Sequence, residues 1–140
     1  MTKEELRQLF KEKIVPHQRN PYHFQSIEKH RHEVLAYNPF CGDKYHIQIS
    51  GDQQGYFQGI GCAISQASTS VLLQRIEGMS DAEMADYCQQ FLQALAQDEP
   101  VPDDELAVLA ALKHFEGRMD CITLPWKALL DYFKERTNTN

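Results

Sequence analysis

The hydrophobic pattern of this chain switches at Cys62 from a strand period to a helical one, and that switch limits the folds open to it. Upstream, His32-Glu33-Val34-Leu35-Ala36-Tyr37 reads as extended and is closed by Asn38-Pro39. Tyr45, Ile47 and Ile49 then alternate with His46, Gln48 and Ser50, the pattern of a half-buried strand. Gly51-Asp52-Gln53 supplies a turn, and a third short strand, about 54–60, leads into Gly61-Cys62. Three strands with short connections predict an antiparallel meander.

Downstream, Ala63 to Ile76 is rich in Ala, Leu and Gln, and Gly78 stops it. Ser80 and Glu83 form a capping box for a helix over about 81–96. Asp98-Glu99-Pro100-Val101-Pro102 is a linker, and Asp103 caps a helix over about 104–115 that ends at Gly117. Thr123 as N-cap and Pro125 in the first turn predict a last helix over about 124–136, with Thr137 to Asn140 fraying. At the other end, Thr2 and Glu5 open a helix over about 3–15, which Pro16 and Asn20-Pro21 end. The Pro-rich linker is too short to divide two domains. We therefore expect one α+β domain over residues 1–140, a small three-stranded antiparallel sheet with helices packed on one face.

A chain of 140 residues with 42% hydrophobic composition is long enough and apolar enough to bury a core. Its net charge of −6 and the lack of a basic run argue against nucleic-acid binding. No apolar stretch approaches the roughly 20 residues that span a bilayer. Met1 to Lys13 is charged and amphipathic rather than a signal peptide, so a soluble, cytoplasmic protein is expected.

Cysteines stand at 41, 62, 88 and 121, too far apart for a local CxxC pair. A reducing cytosol disfavours disulfides, so each is either a buried small hydrophobe or part of a site. Cys88, inside a predicted helix, reads as packing. The other three sit at chain junctions. Cys41 lies in a turn between strands, Cys62 where strand hands over to helix, and Cys121 just before the last helix. A helix N-terminus favours thiolate, the form that binds metal or attacks sulfur. Among the histidines, His30 and His32 read as a solvated pair on one strand face, and His17, His23, His46 and His114 carry no ligand spacing. Trp126 with Leu129, Leu130 and Phe133 reads as core, and Asp98 to Glu105 as a solvated acidic linker ending in a cap.

Three segments carry a resemblance. Asn38-Pro39-Phe40-Cys41-Gly42-Asp43, Gly59-Ile60-Gly61-Cys62-Ala63-Ile64-Ser65-Gln66-Ala67-Ser68 and Arg118-Met119-Asp120-Cys121-Ile122-Thr123-Leu124-Pro125-Trp126-Lys127-Ala128-Leu129 resemble, in order, the three cysteine motifs of the IscU/SufU/NifU-N-terminal family of iron–sulfur cluster assembly proteins. The long stretch between Cys62 and Cys121, and the absence of histidine before Cys121, are similar to the SufU branch. The resemblance implies zinc bound by Cys41, Asp43, Cys62 and Cys121. It also implies sulfur accepted on Cys41 from a SufS-type cysteine desulfurase, a desulfurase histidine taking the place of Cys41 on zinc, and Arg118 beside the active cysteines. Downstream partners would be apo iron–sulfur or cluster-assembly proteins. Three thiolates and a carboxylate suit tetrahedral zinc, and soft sulfur ligands also suit a cluster. Two alternatives therefore stand beside a sulfurtransferase-like carrier: a scaffold building a [2Fe–2S] or [4Fe–4S] cluster bound through Cys41, Cys62 and Cys121, and a structural zinc domain. Asp120 departs from the lysine usual in the SufU branch, and its charge is expected to raise the pKa of Cys121. The turn after Gly51 is also slightly short.

Overall fold

The computed structural model describes residues 2–115 and 118–138. Three antiparallel strands, β1 (His32–Tyr37), β2 (Lys44–Ile49) and β3 (Gly55–Ile60), form a sheet in the order β1-β2-β3. This is the predicted meander, within a residue of its expected limits. Its register sets Val34 opposite Ile47 and Ile47 opposite Phe57. Because side chains alternate along a strand, one face collects Val34, Ala36, Tyr45, Ile47, Ile49 and Phe57, all buried. Leu35, Tyr37 and Ile60 stay exposed on the other.

The helices are α3 (Ala63–Arg75), α4 (Asp81–Gln97), α5 (Asp104–Leu112) and α6 (Arg118–Asn138), preceded in the chain by α1 (Lys3–Leu9) and α2 (Val15–Arg19). They pack on the sheet, through α3 and α6, and on one another. α3 is central: Ser65, Ser68, Thr69 and Ser70 are as buried as Val71, Leu72 and Leu73. α6 packs on α3, α4 and β1. Trp126 is fully buried there, 4.1 Å from the Phe91 ring, so it is a core residue as expected. Burying such a side chain contributes about 1.5–3 kcal/mol, which makes this seam a main support of the fold. Thr2, Ser80 and Asp103 act as N-caps as predicted, and Ser80 with Glu83 completes a capping box; at Thr2 the cap bond from Glu5 N forms without the return bond of a box.

Several expectations are corrected. Helical structure continues past Pro16 to Arg19, because a π-helical turn at Phe10–Ile14 precedes it and Pro16 enters α2 at its first turn. Pro16 lacks an N–H, and the start of a new turn is where that donor is least missed. α5 stops at Leu112, and the predicted stop at Gly117 lies outside the described residues. α6 begins at Arg118 and runs to Asn138, beyond the residue where fraying was expected. Thr123 does not cap it: its Oγ1 donates back to Met119 O at 2.9 Å, and Pro125 lies inside the helix.

Two polar clusters were also misread from sequence. His32 is buried at 4% exposure, with Nδ1 2.9 Å from Tyr132 Oη and Nε2 3.0 Å from Asp81 Oδ2, so it forms no solvated pair with His30. The acidic linker ends in a partly buried ion network. Arg75 donates to Asp103 Oδ2 at 2.6 Å and Glu105 Oε1 at 2.5 Å, while His17 lies 2.7 Å from Glu105 Oε2. The His17 hydrogen bond, reinforced by Arg75, holds the Glu105 carboxyl down at about 2.

Candidate metal centre

The β1–β2 turn is built by Asn38. Its side chain accepts from Phe40 N at 3.0 Å, its carbonyl accepts from Gly42 N at 2.8 Å, and its N–H donates to Asp43 O at 2.9 Å. Gly42 takes φ +80°, a conformation glycine adopts without steric cost. The turn thereby leaves Cys41 exposed and carries Asp43 inward to 4% exposure.

Cys62 is the N-cap of α3, and its Sγ accepts from Ser65 N at 3.3 Å. Gly61 before it has no room for a Cβ, which would collide with the Tyr45 hydroxyl and Ser65 Oγ. Cys62 N donates to Asp43 Oδ1 at 3.0 Å, which ties the turn to the helix start. Cys121 lies in the first turn of α6, buried at 6% exposure. A carboxylate oxygen of Asp43 and the sulfurs of Cys62 and Cys121 all lie within 4.8 Å of one another.

Of the four predicted ligands, then, three converge. Cys41 stays outside the cluster at the exposed tip of the turn, although its charge is felt by Cys121. Arg118 lies exposed at the start of α6, three residues ahead of Cys121. Cys88 is a core residue as expected, its thiol pushed up to about 12 by burial.

The donor set fits a cation. Asp43 Oδ2 is buried with no hydrogen-bond partner, a costly state unless something positive meets it. Burial first, then a hydrogen bond with Cys62 and the negative Cys62, Asp43 and Cys41, push the Cys121 thiol up to about 12. Asp120 is not among the largest of these causes. A soft divalent ion would relieve both the unpartnered oxygen and the mutual repulsion.

Sequence reading missed the supports of this cluster. Tyr45 Oη lies 2.8 Å from Ser65 Oγ, which itself donates to Cys62 O at 3.1 Å. Ser68 Oγ donates to Ile122 O at 2.6 Å and accepts from Trp126 Nε1 at 2.9 Å, joining α3 to the start of α6. The available signal was the hydroxyl run Ser65, Ser68, Thr69, Ser70 in a helix, which favours burial against polar partners over propensity.

A family model of the NifU-like N-terminal domain matches residues 9–131. The chain belongs to this family. It is 31% identical over 129 residues to the zinc-dependent sulfurtransferase SufU of Bacillus subtilis (strain 168), covering 86% of each chain. It is 29% identical to the iron–sulfur cluster assembly scaffold protein IscU of Streptococcus pyogenes serotype M1, covering 99% of this chain and 91% of that one. Among solved structures, an iron–sulfur cluster assembly scaffold protein for the SUF system from Fervidobacterium islandicum AW-1 superposes with a TM-score of 0.71. That match is 26% identical and covers 87% of this chain and 94% of that chain. The NifU-like domain thus shares its three-stranded α+β fold with SufU-type proteins, and the likeness to SufU supports that branch. No helix among the described residues is long and apolar enough to cross a membrane.

Proposed function

We propose that this NifU-like domain is a zinc-dependent acceptor of persulfide sulfur from a SufS-type cysteine desulfurase. The supporting observation is the division of labour among its cysteines: Cys62 and Cys121 are clustered with Asp43, while Cys41 stands exposed beside them. Asp43, Cys62 and Cys121 would hold zinc, with Cys41 as the fourth ligand. When bound, zinc would supply the positive charge that offsets the burial of these thiolates.

The chain's own residues do the rest. Asn38 and Gly42 shape the turn that presents Cys41 to a docked protein. The Cys41 thiolate attacks the terminal sulfur of the donor's persulfide. A new sulfur–sulfur bond forms on Cys41, the donor's sulfur–sulfur bond breaks, and its electron pair leaves as the desulfurase thiolate. Arg118, at the start of the same helix as Cys121, offers a cation to the Cys41 thiolate. The sulfur then passes to cluster-assembly or apo iron–sulfur proteins.

The test is alanine release by a SufS-type desulfurase. The chain should accelerate it, Cys41→Ala should abolish the acceleration, and mass spectrometry should find the added sulfur on Cys41. Full stimulation by Cys41→Ala would exclude the carrier reading. The end-to-end likeness to the streptococcal scaffold protein supports a second reading, in which a [2Fe–2S] or [4Fe–4S] cluster is the cargo built on Cys41, Cys62 and Cys121.

A further inference from the structure

The two edges of the sheet are treated differently. The outer edge of β3 is covered: Phe57 N donates to His23 O at 3.1 Å, and Phe24 bridges Phe57. β1 is the other edge. Bonded and non-bonded pairs alternate along an antiparallel ladder. Asn38 N bonds Asp43 O, so Ala36–Tyr45 and Val34–Ile47 are the next bonded pairs. The N–H and C=O groups of Leu35 and Tyr37 therefore face away from β2. No hydrogen bond outside the ladder uses them among the described residues.

That edge opens into a groove of about 520 Å³ between β1 and α6. Leu35, Tyr37 and Phe40 give it apolar surface at 51%, 52% and 96% exposure. Asp120, Asp131 and Glu135 of α6 outnumber Lys127 along its rim. Asn38, Pro39 and Phe40, the residues leading into Cys41, also line it. An unpaired strand edge is a template for another strand. The rim selects what that strand carries. A second copy of this chain would bring like acidic rims together, and the chain's net charge is −6, so self-pairing is opposed.

We propose that an extended, Lys- or Arg-bearing segment of the sulfur-donating desulfurase docks on β1 as a fourth strand, which brings its persulfide to Cys41. The identity of the partner rests on the proposed function; the mode of docking rests on the edge. Main-chain bonds to Leu35 and Tyr37 supply affinity, alternate side chains enter the groove, and the α6 carboxylates select for positive charge.

The decisive variant is Leu35→Pro. It removes an N–H that the β1–β2 ladder does not use, at an edge position where proline is tolerated. Affinity for a SufS-type desulfurase, measured by calorimetry, should fall at least tenfold while zinc content is unchanged. The double variant Asp131→Lys/Glu135→Lys, on the exposed face of α6, should weaken binding similarly and flatten its salt dependence. Hydrogen exchange should show the Leu35 and Tyr37 amides newly protected in the complex. Wild-type affinity in Leu35→Pro, or unprotected edge amides, overturns the docking mode even where sulfur transfer to Cys41 is normal. Failure of the wild-type chain to bind the desulfurase overturns both this proposal and the sulfur-acceptor reading. A concentration-dependent dimer lost in Leu35→Pro would reassign the edge to a second copy.

Discussion

Asp43 accepts a hydrogen bond from the backbone N–H of Cys62 at 3.0 Å through one carboxylate oxygen, and its other oxygen is buried with no hydrogen-bond partner. The same side chain thus joins the β1–β2 turn to the start of α3 and contributes an oxygen to the cluster with Cys62 and Cys121.

Asp43→Asn should separate those two roles. The amide oxygen can keep the bond to Cys62, while the charge that meets a cation is lost. We expect the chain to stay folded and zinc affinity, measured by chelator competition, to fall roughly 10–100-fold, the range seen when groups that support a metal site are lost. Unchanged affinity would remove Asp43 from the ligand set.

Cysteine variants should sort by location. Cys88→Ser places a hydroxyl in an apolar core without a partner, at a cost of about 1–3 kcal/mol, and should retain full metal content. Cys121→Ser should lose the metal with a smaller change in the stability of the metal-free protein. Zinc per chain and urea unfolding of the metal-free proteins would show the pattern, and its reversal would move the site elsewhere.

Removing metal should lower the melting temperature and leave a folded protein. Binding to the native state stabilises it by mass action. The core of Ile47, Phe57, Leu72 and Trp126 is fully buried and contributes no ligand to the cluster of Asp43, Cys62 and Cys121. Circular dichroism after chelation would test this, and a fully unfolded metal-free chain would contradict it.

Acid should weaken the fold through Glu105. Its folded carboxyl titrates at about 2 against an ordinary value of 4.5, because His17, and then Arg75, favour the ionised form. A lowered folded pKa gives stability that is present above the unfolded value and lost as pH falls from about 4.5 through 2, a contribution of at most about 3 kcal/mol. Asp81, held at about 2 by Arg31 and His32, adds a smaller effect because it is more exposed. Glu105→Gln should flatten this part of the stability–pH curve. A wild-type slope in the variant would show that the network does not carry it.

Ser68→Ala should leave the Trp126 Nε1–H and the Ile122 carbonyl without their side-chain partner in the core, at about 1–3 kcal/mol. Thermal unfolding measures the cost, and tryptophan fluorescence reports the change at Trp126. An unchanged melting temperature would show that this link between α3 and α6 does not support the fold.

The sequence by itself determined the features that depend on near neighbours. The alternation of Tyr45, Ile47 and Ile49 set the sheet, Ser80 with Glu83 set a helix start, and the motifs around Cys41, Cys62 and Cys121 marked the family. The tertiary structure decided what depends on distant partners. Whether Thr123 caps α6 or lies within it turned on packing against α3, through bonds such as Ser68 to Ile122, 54 residues apart. His32 is buried because Tyr132, 100 residues on, comes to meet it. Local patterns state which conformation each segment prefers. Only the packed chain fixes which side chains lose water together, and so which thiols cluster, which carboxylates stay ionised and which edge of the sheet is left open.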